Sequence, residues 1–220
     1  MILVGFGCSF TEGSGLVEDP GKDYDYNTPH REQHCWLGQL ASKLGATYIN
    51  KAEAGGSNFS IEQILGEFIR DDFRHITEPL IIAVGWTTID RMSWWYEESH
   101  SWTHSKQIEI ELENPFKNTY KEWILHSQGS RWSGNQSLTD NAKLFVNSVC
   151  ELNNIPLLQF NALGSHNNKY GYKNYYLPHC DTLDYLQEDQ LIENDGHPNE
   201  SGHLEIATRL HNFIKEHKIV

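Results

Sequence analysis

"GFGCSFTEGSG", residues 5–15, follows directly on the apolar opening Met1-Ile2-Leu3-Val4. An apolar run that breaks into glycines and a serine reads as a buried strand ending in a tight turn. Glycines at such a turn imply that backbone comes close to something: a phosphate, a ligand or a reacting carbonyl. The rest of the chain has to choose among these.

Three further apolar runs share the character of residues 2–7: 47–50 (TYIN), 80–85 (LIIAVG) and 157–162 (LLQFNA). Helical patterns separate them. In 35–45, Trp36, Leu37, Leu40 and Leu44 recur at helix spacing and Gly45 marks the stop. Residues 60–73 start at Ser60 as cap, with Gln63 three residues on, and set Ile61, Ile64, Leu65, Phe68 and Ile69 on one face. Residues 137–154 and 200–217 complete the set. Strands alternating with helices predict about five parallel strands covered on both faces, a three-layer α/β/α sandwich with a flavodoxin-like parallel sheet. The chain reads as one domain, 1–220. Its rhythm is broken by an insertion at about 86–135 that carries six tryptophans and one expected helix near 117–127.

Composition narrows the partners. Thirty Asp and Glu against 17 Lys and Arg give a formal charge of −13, which argues against nucleic acid and anionic membrane surfaces. The opening apolar run stops at Gly5 with no basic segment before it, so no signal peptide is expected. PLIIAVGW is far below the roughly 20 residues that span a bilayer. Cys8, Cys35, Cys150 and Cys180 form no C-x-x-C pair and read as reduced thiols. A cytoplasmic protein is the expectation.

In open parallel sheets ligands sit at the carboxyl ends of the strands. Ser9 follows the first strand there, Gly55, Gly56 and Ser57 the second, and Trp86, Thr87 and Thr88 the third. The loop NDGHPNESGH, residues 194–203, adds Asp195 and His197. Phosphate loops fit poorly. Phe10 stands where G-x-G-x-x-G needs its last glycine, and no Gly-Lys-Ser/Thr follows. Thr11 likewise breaks the G-x-S-x-G elbow. Ser9 can be a nucleophile if a base and oxyanion donors converge on it, or it can merely cap the first helix. His100 and His104 are four apart with no third ligand at a telling spacing, so no metal site is read there. His203 is expected to pack or cap locally, and His30, His34 and Asp23 to border the pocket from a polar loop.

Taken in order, these turns resemble the four sequence blocks of the SGNH (GDSL-like) hydrolases. GCSFTEG is similar to the first block, with Ser9 as nucleophile and Cys8 in place of an aspartate. NKAEAGGS, residues 50–57, resembles the second, whose glycine Gly55 would donate its N–H to an oxyanion. GWTT, residues 85–88, aligns with the third and puts Thr87 where the family has asparagine. The last block, D-x-x-H, falls on Asn194 to His197. Its strict frame makes Asn194 the orienting residue, whereas Asp195 fits a variant of viral and phage-type members and is preferred. The resemblance implies a serine esterase that works through an acyl-enzyme without metal or organic cofactor. Ser9, His197 and Asp195 would be catalytic, and the Ser9 and Gly55 N–H groups with the Thr87 hydroxyl would hold the oxyanion. A small-molecule or glycan ester is the implied substrate, the tryptophans being suited either to stack on pyranose faces or to build the insertion's core. The alternative is a catalytically weak binding or structural protein on the same fold, which in a virus would belong to the virion.

Overall fold

The structure, a computed structural model, describes residues 1–91, 93–96, 101–104, 131–164, 171–192 and 195–220. In chain order its strands are β1 (Ile2–Gly7), β2 (Thr47–Asn50), β3 (Leu80–Trp86), β4 (Ser93–Tyr96), β5 (Ser101–His104), β6 (Leu157–Asn161) and β7 (Tyr175–Asp181). Its helices are α1 (Ser9–Glu12), α2 (Thr28–His34), α3 (Trp36–Leu44), α4 (Asn58–Glu67), α5 (Arg131–Leu152) and α6 (Glu200–His217). Five strands form one parallel sheet in the order β2-β1-β3-β6-β7. Helices cover both faces, so the expected α/β/α sandwich is what the chain forms.

The two-residue period of β1 and β3 divides the core. Leu3, Ile81, Ala83, Leu158 and Phe160 pack under α3 and α6. Val4, Phe6, Ile82, Val84 and Trp86 pack under α4 and α5. All seven residues of β3 are buried, as a central parallel strand requires. Burying each large aliphatic side chain there contributes about 1.5–3 kcal/mol. Lys143 of α5 is buried too, its Nζ 4.8 Å from the Tyr175 ring centre, and burial lowers its ammonium to about 7.

Gly5 and Gly7 of the opening stretch serve this packing. A Cβ on Gly5 would lie 2.4 Å from Leu37 Cδ2, and one on Gly7 would lie 2.1 Å from Thr11 Oγ1. Gly85 on the neighbouring strand clears the same threonine, at 2.7 Å. Close approach is therefore real, but what approaches is α3 and the first turn of α1.

Other boundaries shift for local reasons. The cap of α4 is Ser57, not Ser60; the two serines bond each other's backbone N–H groups in a capping box. The helical path beyond Glu67 widens, with the Phe73 N–H reaching back five residues to the Phe68 carbonyl. In the insertion, β4 and β5 form an antiparallel hairpin. The helix expected near 117–127 lies outside the described residues, as do the side chains of Trp94, Trp95, Trp102, Trp123 and Trp132. Trp86 is fully buried and donates its Nε1–H to Gln159 Oε1 at 3.1 Å, so it offers no face to a sugar. Cys8, Cys35 and Cys150 are free and buried, and burial pushes Cys35 up to about 11 and Cys150 to about 12. Among the described residues, no helix is long and apolar enough to cross a membrane.

Candidate active site

β1 ends at Gly7, and Cys8, in extended conformation, is the N-cap of the single turn α1. Its carbonyl accepts from the Thr11 N–H at 2.8 Å and the Glu12 N–H at 3.0 Å. Gly13, at φ +92°, closes the turn. The Cys8 side chain is buried with Phe10, Leu16 and Cys35, where an unpaired carboxylate would be costly. Ser9 is thus the first helical residue rather than the cap. Its hydroxyl instead lies 2.9 Å from His197 Nε2.

His197 comes from a tight loop between Leu191 and Pro198, which pair as an isolated antiparallel bridge. The Ile192 N–H donates to the His197 carbonyl at 2.8 Å, and the Asp195 and Gly196 N–H groups donate to the Ile192 carbonyl. Gly196 takes φ +75° and turns the chain so that two residues of separation suffice. Asp195 Oδ1 stands 2.8 Å from His197 Nδ1. With Nδ1–H donated to the carboxylate, Nε2 carries the lone pair that accepts the Ser9 hydroxyl proton. Phe10 packs on the imidazole, ring centres 5.2 Å apart. Asn194 lies outside the described residues.

Gly15, last residue of the opening stretch, lets this loop approach closely. It has φ +88°, and a Cβ there would lie 2.5 Å from Ile192 Cδ1, 2.9 Å from Asp195 Oδ2 and 3.8 Å from His197 Cβ.

The second turn is laced to the first. Asn50 Nδ2 donates to the Thr11 carbonyl at 3.1 Å, and the Glu53 N–H donates to the Gly7 carbonyl at 3.1 Å. Gly55 has φ +80°. Among the described residues the N–H groups of Ser9 and Gly55 find no acceptor, which leaves both open to solvent or a ligand. Thr87 is fully buried, and Asn58 brackets its backbone, accepting from its N–H at 2.8 Å and donating to its carbonyl at 2.9 Å. The Thr87 hydroxyl is shielded from solvent.

Several supporting residues carry no signal in the sequence. Glu12 accepts from Arg31 Nε at 3.1 Å, from Ser14 Oγ at 2.6 Å and from the Tyr24 hydroxyl. Arg31 is itself buried and donates to the Tyr24 carbonyl and Thr28 Oγ1, both at 2.7 Å. This cluster fastens α1 to α2. Burial, then the Glu12 contact, pushes the Tyr24 hydroxyl far above its usual range.

His203 acts at long range rather than locally. It is fully buried, and its Nδ1 accepts the Trp36 N–H of α3 at 3.1 Å. The Cys35 N-cap supplies no side-chain bond there, so His203 serves an otherwise orphaned N–H. Burial, with His197 as a second cause, lowers its imidazolium to about 3. A depressed histidine stabilises the fold fully above the unfolded value near 6.5 and loses that contribution as pH falls towards 3. Unfolding free energy is expected to drop by up to about 1.4 kcal/mol per pH unit below about pH 6.5 from this group. Denaturation of His203→Gln, which can accept the same N–H without titrating, should show a flatter slope between pH 6 and 4. Equal slopes for both proteins would remove His203 as the source.

The fold is that of SGNH hydrolases. An acetyl xylan esterase (Est2A) from the rumen bacterium Butyrivibrio proteoclasticus is similar at 15% identity and a TM-score of 0.57, aligned over 98% of this chain and 63% of that one. A carbohydrate esterase described as having divergent catalytic and non-catalytic binding functions is 14% identical, with a TM-score of 0.54 over 98% of this chain and 64% of its own. The lipase Lip_vut3 from a goat rumen metagenome is 11% identical, with a TM-score of 0.52 over 97% of both chains. The chain therefore spans less than two thirds of the length of the two carbohydrate-active relatives. No curated protein matches the sequence. Residues 15–184 match a family of unknown function, DUF6071, a span that begins after Ser9 and ends before Asp195. Since that match covers well over half of its length, the chain belongs to the DUF6071 family.

Proposed function

We propose that this protein is a serine esterase that hydrolyses a carboxylic ester through an acyl-enzyme. The observation that carries the reading is the hydrogen-bonded series Ser9 Oγ, His197 Nε2, His197 Nδ1, Asp195 Oδ1, at 2.9 and 2.8 Å. Ser9 Oγ attacks the ester carbonyl as His197 Nε2 takes its proton, which then passes to the leaving alkoxide. Water, deprotonated by the same nitrogen, releases the acid. Asp195 holds the tautomer and stabilises the imidazolium. The Ser9 and Gly55 N–H groups are the primary oxyanion donors, and Thr87 joins them once uncovered. The mechanism calls on no metal or organic cofactor.

For the substrate we propose acetyl or short acyl groups on carbohydrate, in keeping with the acetyl xylan esterase of the same fold. Turnover of p-nitrophenyl acetate, with fluorophosphonate labelling mapped to Ser9, tests the chemistry; acetylated xylan tests the substrate class. A second reading, a catalytically weak binding protein of the viral or phage type, draws on the closed position of Thr87 and on the relative with non-catalytic binding functions. Ligand binding without turnover would select it.

Gly15→Ala is expected to lower kcat/KM for p-nitrophenyl acetate by about 10- to 10²-fold, because its methyl displaces the loop that carries Asp195 and His197. The left-handed backbone adds a stability loss of about 1–2 kcal/mol. Gly45→Ala is the control: φ is +61° there with nothing within 4 Å, so it should share the stability loss and keep the activity. Equal activity in both variants would show that Gly15 does not position the loop.

A further inference from the structure

We propose that His30, His34 and Glu200 form a binding site for a divalent transition metal, zinc in the first instance, which ties α2 to α6. The two histidines are four residues apart on α2 and so share a face. Their rings stack with centres 4.3 Å apart. His30 Nε2 lies 3.1 Å from Glu200 Oε1, and His34 Nδ1 lies 3.2 Å from Glu200 Oε2. One ligand atom from each of the three residues can be chosen so that all lie within 4.8 Å of one another.

These separations suit zinc. Bonds of about 2.0–2.1 Å at tetrahedral angles place ligand atoms about 3.3 Å apart. Each histidine nitrogen already lies near that distance from one carboxylate oxygen of Glu200, His30 from Oε1 and His34 from Oε2. Two imidazoles and one carboxylate are a ligand set that zinc accepts while leaving a fourth position to water. Solvent reaches the trio on its Glu200 side, where that side chain is 53% exposed. Each ring would ligate as neutral imidazole, its proton shifting to the other nitrogen.

The carriers are braced independently of any cation. Gln39 Nε2 donates to the His34 carbonyl at 2.7 Å and to the Glu200 carbonyl at 3.2 Å, fixing α2 and α6 relative to each other. A cavity of about 430 Å³ lies beside the trio, lined in part by His34 and Gln39 but by neither His30 nor Glu200. An ordinary His–Glu ion pair at this exposure would contribute little. The sequence hid the trio because Glu200 lies 170 residues from His30.

The site would bear on the reaction centre without belonging to it. Glu200 follows His197 by three residues, and α2 carries Arg31, which holds Glu12 of the Ser9 turn. Metal bound here would join α2, which follows the Ser9 turn, to α6, which follows His197.

Zinc titration of the chelator-stripped full-length protein, in competition with a chromogenic chelator, tests the proposal. One equivalent is expected to bind in this class, with affinity reduced about tenfold or more in His34→Gln and in Glu200→Gln and unchanged in His75→Gln. Zinc should also protect His30 and His34, but not His75, from diethyl pyrocarbonate in the wild-type protein, a readout that needs no variant. Wild-type affinity in Glu200→Gln and His34→Gln, or no selective protection, would overturn the site. Neither measurement depends on esterase activity.

Discussion

Ser9→Ala is expected to lower kcat for ester hydrolysis by roughly 10⁶-fold, the loss seen when the nucleophile of a serine hydrolase is removed. The His197 Nε2 lone pair would then face a methyl group, leaving oxyanion donors and substrate binding to supply what catalysis remains. Fluorophosphonate labelling should disappear with the activity. Stability should hardly change, because Cys8 rather than Ser9 is the N-cap of α1. The substitution removes the hydrogen bond to His197, worth about 1 kcal/mol. Activity surviving at the wild-type rate in a folded Ser9→Ala protein would remove Ser9 as nucleophile and carry the esterase reading with it.

The sheet was legible in the sequence wherever burial left a continuous apolar run. β1, β2, β3 and β6 fall within a residue of their expected limits, and Gly45 ends α3 at φ +61° as its place in the pattern implied. β7 was not legible. Its sequence YYLPHCD contains a proline, which only an edge strand tolerates, and it lies at the sheet's edge. α2 escaped for a different reason: TPHREQH has no apolar face, and its one buried residue is Arg31, held by Glu12. Periodicity detects helices that bury hydrocarbon, not one anchored by a guanidinium.

The site divides along the same line. Block order pointed to Ser9, Gly55, Thr87 and His197, with Asp195 preferred over the strict-frame Asn194, and the fold brings Ser9, Asp195 and His197 into hydrogen-bond contact. Residues that act through packing were invisible. Gly15 matters for what a Cβ would strike in a loop 180 residues away, and Asn58 for a backbone it brackets on β3's far end. Such roles are properties of the assembled fold. No spacing rule in a single sequence encodes them.

Asp195→Asn is expected to reduce kcat by up to about 10⁴-fold with little change in KM. The carboxylate at 2.8 Å keeps the proton on Nδ1 and the lone pair on Nε2, facing Ser9. An asparagine can present its amide nitrogen to Nδ1 instead, which moves the proton to Nε2 and leaves Ser9 without a base. It also withdraws the negative charge that stabilises the imidazolium of the transition state. Because the Asp195 side chain is 43% exposed, water screens part of that charge, so the figure stands as an upper bound. Asn194→Ala should be mild by comparison, with kcat within about threefold of wild type, if Asp195 is the orienting residue. Both variants would be read for kcat on p-nitrophenyl acetate and for fluorophosphonate labelling rate, since a mis-set tautomer slows both. A severe Asn194→Ala beside a mild Asp195→Asn would reverse the assignment: the strict D-x-x-H spacing would govern, and the Asp195 contact would be a resting arrangement that the reacting enzyme abandons.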